Sequence, residues 1–76
     1  MIREHDQVAL TEAVPADGLV AGDVGTVVHI YDNGQAYEVE FATLRGQTVA
    51  VTTLLASQVR PVHRHEMTHA RPLATS

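Results

Sequence analysis

The stretch that decides the fold is VGTVVHIYDNGQAYEVEFA, residues 24–42. Its first eight residues are rich in β-branched side chains and predict a strand. The Asn33-Gly34 pair that follows is typical of a tight turn between two strands of a hairpin. From Tyr37 to Phe41 apolar and acidic residues then alternate without a fault. The stretch therefore predicts a β-hairpin whose returning strand has one buried face and one exposed face.

Segments with the same period-two pattern lie on both sides of this hairpin. Residues 6–11 and 47–53 each place apolar side chains at alternate positions. Residues 59–62 form a shorter run, which Pro61 restricts to the edge or the end of a sheet. Residues 12–23 contain two glycines and a proline and predict a long irregular loop. No segment predicts a crossover helix, so we expect antiparallel pairing.

The order of these elements predicts the fold class. A strand, a long loop, three strands joined by tight turns, a 3₁₀ turn over residues 54–58 and a short last strand follow one another as in an SH3-like barrel. Closure of such a barrel removes the exposed edges of a small open sheet. We therefore predict an all-β, SH3-like five-stranded barrel over residues 1–62, and a tail over residues 63–76 with room for one or two helical turns. The apolar residues expected in the core are Val8, Leu10, Val28, Ile30, Val39, Phe41, Val49 and Val51.

The composition excludes several functional classes. The 76 residues include no cysteine, which excludes disulfide scaffolds, thiolate metal sites and cysteine nucleophiles. Nine acidic residues outnumber five arginines, lysine is absent and the formal net charge is −4, so we expect no nucleic-acid partner. No apolar run reaches the ~20 residues of a membrane span, and the charged N-terminus lacks the pattern of a signal peptide. We therefore expect a cytoplasmic protein with no membrane partner.

Five separated blocks of the sequence form a recognisable pattern, and they are residues 6–10, 18–19, 22–28, 37–41 and 59–61. Together they resemble the DUF4926 family of small bacterial proteins, over roughly residues 6–62. The resemblance implies an SH3-like β-barrel. It implies no catalytic residue, because the family has no assigned function, and it does not extend into the tail.

The tail contains a motif that matches a metalloprotease pattern. In His65-Glu66-Met67-Thr68-His69 the spacing is that of His-Glu-x-x-His, where a helix places both histidines on zinc and the glutamate activates water. Flanking prolines leave at most about two and a half helical turns, and a third ligand and a cleft would have to come from a very small barrel. We therefore expect no enzyme and no cofactor. A metal-binding or metal-dependent role that uses His63, His65 and His69 is the alternative.

Tyrosines and acidic residues near the strand ends are the candidate binding residues. SH3-like barrels use a groove at their rim to bind peptides. We predict such a groove from Tyr31, Asp32, Tyr37, Asp17 and Asp23. Three aromatic residues in the whole chain are too few for ordinary proline-rich peptides, which need several exposed rings.

These observations together predict a non-enzymatic module that binds a protein partner. An acidic chain of this size suits a small accessory subunit of a larger bacterial protein, or the neutralising member of a two-gene pair. The tail combines apolar Met67 and Ala70 with histidines and arginines that complement an acidic body. We expect it to form a short helix or an extended arm, docked on its own barrel or on another copy, and so to favour homo-oligomers.

Overall fold

One antiparallel sheet organises the part of the chain that the structure describes, residues 1–73 of this computed structural model. Its strands are β1 (Gln7–Leu10), β2 (Val24–Tyr31), β3 (Ala36–Ala42), β4 (Thr48–Leu55) and β5 (Val59–Pro61), with 3₁₀ turns at Pro15–Asp17 and Ala56–Gln58. The strand order is β4-β3-β2-β1-β5. The predicted all-β class with five strands in an SH3-like arrangement is confirmed. Within residues 1–73, no helix has the length and the apolar character that a bilayer span requires.

The sheet is open, whereas the sequence predicted a closed barrel. β4 and β5 lie at opposite ends of the strand order, and no ladder joins them within the described chain. The reason lies in β5, which has three residues and ends at Pro61, a residue without a backbone N–H to donate. Its pairing is with β1 alone, where Val8 faces Pro61 and Leu10 faces Val59. Among the residues that the structure describes, the outer side of β4 is therefore an unpaired edge of eight residues.

The predicted hairpin turn joins β2 to β3. Asp32, Asn33 and Gly34 have positive φ angles of 48°, 57° and 98°. Asp and Asn tolerate this left-handed region better than most residues, and glycine adopts it without strain. The amides of Gly34 and Gln35 both donate to the Tyr31 carbonyl, at 3.0 and 3.2 Å. These bonds fix the direction in which β3 returns along β2.

The core is built mainly from aliphatic residues of the first three strands. Of the predicted core residues, Val8, Leu10, Val39 and Phe41 are buried, and Ile30 is half-buried against them. Three were assigned to the wrong face, since Val28, Val49 and Val51 are exposed. The buried hydrophobic residues are Val8, Ala9, Leu10, Leu19, Val27, Tyr37, Val39, Phe41, Leu54 and Val59.

A bulge in β2 explains the error at Val28. Val27 pairs with Val39 and His29 pairs with Glu38, so one residue of β2 has no counterpart in β3. The inserted residue shifts the alternation, which turns Val27 into the core and leaves Val28 39% exposed.

The error in β4 has a different cause, because both faces of this strand carry apolar residues. Ala50, Thr52 and Leu54 pair with the inward residues of β3. Val51 pairs with Glu40 and faces outward, where it is 52% exposed. A pattern that is apolar on both faces does not specify which face is buried.

The long loop, residues 11–23, folds back over one end of the core. Val14 and Leu19 form an antiparallel bridge across it, and the Gly22 amide donates to the Leu10 carbonyl at 2.8 Å. Leu19 is thereby brought into the core and is only 4% exposed. Asp23 ends the loop next to the first residue of β2.

The tail forms no helix over the residues described, so of the two expected forms, a short helix or an extended arm, it adopts the extended one. After Pro61 the chain makes one turn at Arg64-His65 and then continues without regular structure to residue 73. Glu66 is engaged with Arg60 and with the backbone of His63, which holds the turn. Residues 67–73, called the arm below, then run back to the long loop, and residues 74–76 of the predicted tail lie outside the described residues.

Candidate functional site

A groove of about 410 Å³ lies between the arm, the long loop and the turn that joins β3 to β4. Buried Leu19 and Phe41 contribute to its lining, and exposed Val24, Leu44 and Val49 lie around them. β2 and β3 position Val24 and Phe41, whereas Leu44 belongs to the turn. Strand residues, the long loop and the turn between β3 and β4 thus form most of the groove, and the tail forms its arm side.

Exposed apolar side chains are concentrated at this groove. Ten large hydrophobic residues are exposed among those described, and five of them line the groove: Val24, Leu44, Val49, Met67 and Leu73. On the outer face of the sheet, by contrast, Val51 pairs with Glu40 and Leu55 pairs with Ala36, so these two exposed residues of β4 lie four positions apart along the strand. An apolar concentration of this kind on a small protein marks a binding surface.

Asp23, the one acidic side chain in the groove lining among residues 1–73, holds the arm in place. Arg71 donates from Nε to Asp23 Oδ1 at 2.8 Å and from Nη2 to Asp23 Oδ2, and Nη2 also approaches the Gly18 carbonyl at 3.4 Å. Asp23 Oδ2 in addition accepts the Val20 amide at 2.9 Å. The Arg71 bond holds the pKa of Asp23 below its usual value, against the opposing effect of burial and with help from the Val20 amide. This is a bidentate arginine–carboxylate pair, a geometry that adds directional specificity to the attraction of opposite charges.

The turn before the arm is fixed by a second ion pair. Arg60 on β5 donates from both terminal nitrogens to Glu66, at 2.9 and 2.7 Å, and the His63 amide donates to the same carboxylate at 2.7 Å. The Arg60 bonds, followed by the His63 bond, lower the pKa of Glu66 to about 2. The arm itself makes no backbone hydrogen bond to the sheet within residues 67–73. It is therefore attached through side chains alone.

The five predicted binding residues do not form a single groove. Asp23 lines the groove described above, and Asp17 lies half-buried in the 3₁₀ turn of the same loop. Tyr31 and Asp32 lie at the opposite end of β2, roughly 25 Å from Asp23 at the usual rise of an extended strand. Tyr37 is 7% exposed and belongs to the core.

Tyr31 belongs to a small polar cluster on the outer face of the sheet. Its hydroxyl donates to Glu38 Oε1 at 2.5 Å, and this bond raises the pKa of Tyr31. The His29 ring meets the Tyr31 ring edge-on at 4.4 Å between centroids, and His29 Nδ1 lies 4.0 Å from a Glu4 carboxylate oxygen. The Tyr31 hydroxyl is therefore already hydrogen-bonded within the chain.

The tail histidines do not assemble into the site that their spacing suggested. The helix that a His-Glu-x-x-His site requires is not formed, and its glutamate, Glu66, is bonded to Arg60 instead of facing a metal. His63, His65 and His69 are exposed. Within the described part of the chain, no three histidine, aspartate or glutamate side chains converge on a point where a metal could bind.

Sequence reasoning missed Leu44, assigned Val49 to the core instead of the groove, and did not single out Arg71. A signal existed for Leu44, which is an apolar residue between polar neighbours in a tight turn. For Arg71 the available signal was weaker, because opposite charge in the tail and in the body indicates attraction but not which pair forms.

An open SH3-like sheet with a loop-and-arm groove at one end is the class of structure that these observations define. The family model described as Domain of unknown function (DUF4926) matches residues 4–61, and the chain belongs to that family. No curated protein and no solved structure matches the chain. The arm lies outside the matched residues, whereas the floor of the groove lies within them.

Proposed function

We propose that this chain is a non-enzymatic protein-binding module, acting in the bacterial cytoplasm as a small accessory or neutralising subunit of a larger protein. The observation that carries the proposal is the gathering of exposed apolar side chains around one groove. Exposed Leu44 and Val24 cost free energy in water, and a partner that covers them recovers it. The partner contacts the groove through an apolar segment.

The rigidity of the groove supports the same role. Phe41 and Leu19 in its lining are 3% and 4% exposed, so the core holds them in one position. A preformed apolar surface loses little conformational entropy when a partner binds. Only the arm has to move to widen access to this surface.

Two leucines of similar exposure provide a matched test. Leu44 lines the groove and is 75% exposed, whereas Leu55 lies on β4 outside the groove and is 61% exposed. A photoreactive phenylalanine analogue is placed at each position in turn, and the cells that naturally produce the protein are irradiated. We expect one discrete protein adduct from position 44 and none from position 55.

Aspartate substitutions at the same two positions complete the test. Leu44→Asp introduces a charge into the groove and should abolish co-purification of the cross-linked partner, while Leu55→Asp should preserve it. Melting curves establish that both variants fold. Equal adducts from the two positions, or loss of the partner from Leu55→Asp alone, would place binding elsewhere and contradict the proposal.

A further inference from the structure

We propose that Asp23 and the adjoining loop form an arginine-recognition site, which Arg71 occupies as an internal ligand and which a partner occupies with an arginine of an extended segment. This inference rests on the proposed function and names the chemistry of the partner at the same groove. Its basis is the geometry around Asp23, the weak attachment of the arm and the charge of the body.

The Asp23 carboxylate is oriented by the loop independently of the arm. Its Oδ2 accepts the Val20 amide at 2.9 Å, and the Val20 carbonyl accepts the Asp23 amide at 3.1 Å. These two bonds keep the carboxylate in place when Arg71 leaves. With the Gly18 carbonyl beside it, the carboxylate presents acceptors that match the planar fork of a guanidinium.

The arm is attached in a manner that permits exchange. Two bonds to Asp23 and a longer one to Gly18 hold Arg71, whose side chain remains 31% exposed. Met67 is 92% exposed and Leu73 is 38% exposed, so both bury only part of their apolar surface. The Arg60–Glu66 pair anchors the chain just before the arm, and release of the arm therefore leaves the sheet and the turn unchanged.

The net charge of the body determines which kind of partner segment can replace the arm in the groove. Residues 1–60 contain eight acidic residues and three arginines, a net charge of 3 − 8 = −5. An incoming segment meets this charge and the Asp23 carboxylate together, which favours a basic segment and disfavours an acidic one. The apolar residues of the groove select for apolar neighbours beside the arginine, as in the arm's own sequence Ala70-Arg71-Pro72-Leu73.

The test uses the full chain and a capped synthetic peptide with the sequence of residues 67–73. Binding is followed by the amide shifts of Gly18, Val20 and Asp23 in nitrogen-15 spectra. In the wild-type chain the arm competes at a high effective concentration, of the order of millimolar for a short tether. Arg71→Ala weakens this competitor, so we expect this variant to bind the peptide at least about tenfold more tightly than the wild type.

A matched pair of acidic substitutions identifies the acceptor. In the Arg71→Ala background, Asp23→Asn should lose the peptide, while Asp17→Asn on the same loop should retain it. The side chain introduced by Asp23→Asn keeps an oxygen for the Val20 amide, and melting curves confirm the fold. A peptide with lysine in place of arginine leaves the protein unaltered and should bind at least about tenfold more weakly, because lysine lacks the bidentate fork.

Four results would overturn the inference. The first is equal peptide affinity in the Asp23→Asn and Asp17→Asn variants. The second is equal affinity for the arginine and lysine peptides. The third is a wild-type dimer in sedimentation that Asp23→Asn dissociates, since the occupant would then be the arm of a second copy. If the partner found by cross-linking is lost with Leu44→Asp but kept with Asp23→Asn, the proposed function stands and the arginine site is wrong.

Discussion

Gly25 is the position where the smallest substitution should have a large effect on stability. A methyl group added there would lie 2.6 Å from Val39 Cγ1, 2.9 Å from the Glu40 carbonyl oxygen and 2.9 Å from Phe41 Cε1. Each distance is well below ordinary van der Waals contact. The φ angle of Gly25 is not positive, so glycine is needed here for space and not for backbone conformation.

The loss of stability expected for Gly25→Ala depends on how little these three atoms can move. Val39 and Phe41 are 0% and 3% exposed, and β3 is hydrogen-bonded to β2 on one side and β4 on the other. Overpacking of a tight core costs about 1–3 kcal/mol, and the immobile carbonyl places Gly25→Ala at the upper end of that range. Alanine recovers up to about 1 kcal/mol by restricting the unfolded chain. The expected net loss is therefore about 2 kcal/mol, which lowers the Tm of a domain this small by about 8–16 °C.

Urea unfolding followed by circular dichroism measures this loss directly. Thr26→Ala is the control, because it lies next along β2 and adds no atom; its free energy of unfolding should stay within about 1 kcal/mol of the wild type. An unchanged or raised urea midpoint for Gly25→Ala, together with a near-neutral control, would refute the close contact between β2 and β3.

Three further predictions test the core, the tail turn and the charge of the body. Phe41→Ala removes a ring that is 3% exposed and should cost about 3–5 kcal/mol, so an unchanged melting curve would show that the ring is not part of the core. The pKa of Glu66 is lowered from 4.5 to about 2, so the tail turn should be fully stabilised above pH 4.5 and should lose that stabilisation as the pH falls towards 2. A carbon-13 titration of the Glu66 carboxyl with its midpoint near 4.5 would contradict the Arg60 contact. The net charge of −4 predicts no measurable affinity for duplex DNA or structured RNA near physiological salt, and a gel shift at micromolar protein that weakens steeply with added salt would contradict it.

The sequence pattern predicted the fold class because the strands and turns that it indicates locally are the ones that pair in the sheet. The Asn33-Gly34 turn and the alternation of β3 are both local properties, and both occur in the structure as predicted. The inward faces of β2 and β4 were not predictable in the same way. The bulge at Val28 and the outward orientation of Val51 can be identified only from the pairing of β2 and β4 with β3. Closure of the sheet likewise depends on the reach of β5, which three residues and Pro61 limit.

The candidate site was less predictable than the fold, because it depends on contacts between distant residues. Asp23 was identified as a binding residue, yet the group that binds it, Arg71, lies 48 positions later. Charge composition indicated that the tail would be attracted to the body, but any of eight acids in residues 1–60 was a possible partner. The Val20 amide resolves that choice, since its hydrogen bond to Oδ2 orients the Asp23 carboxylate towards the groove. Tyr31 shows the converse, because Glu38 already satisfies its hydroxyl and thereby reduces what it offers to a partner. Whether a polar side chain of this small sheet can bind a partner therefore depends on which of its hydrogen bonds are already made within the chain. Those internal bonds are determined by the folded arrangement of the loop and the strands, and the sequence alone does not specify them.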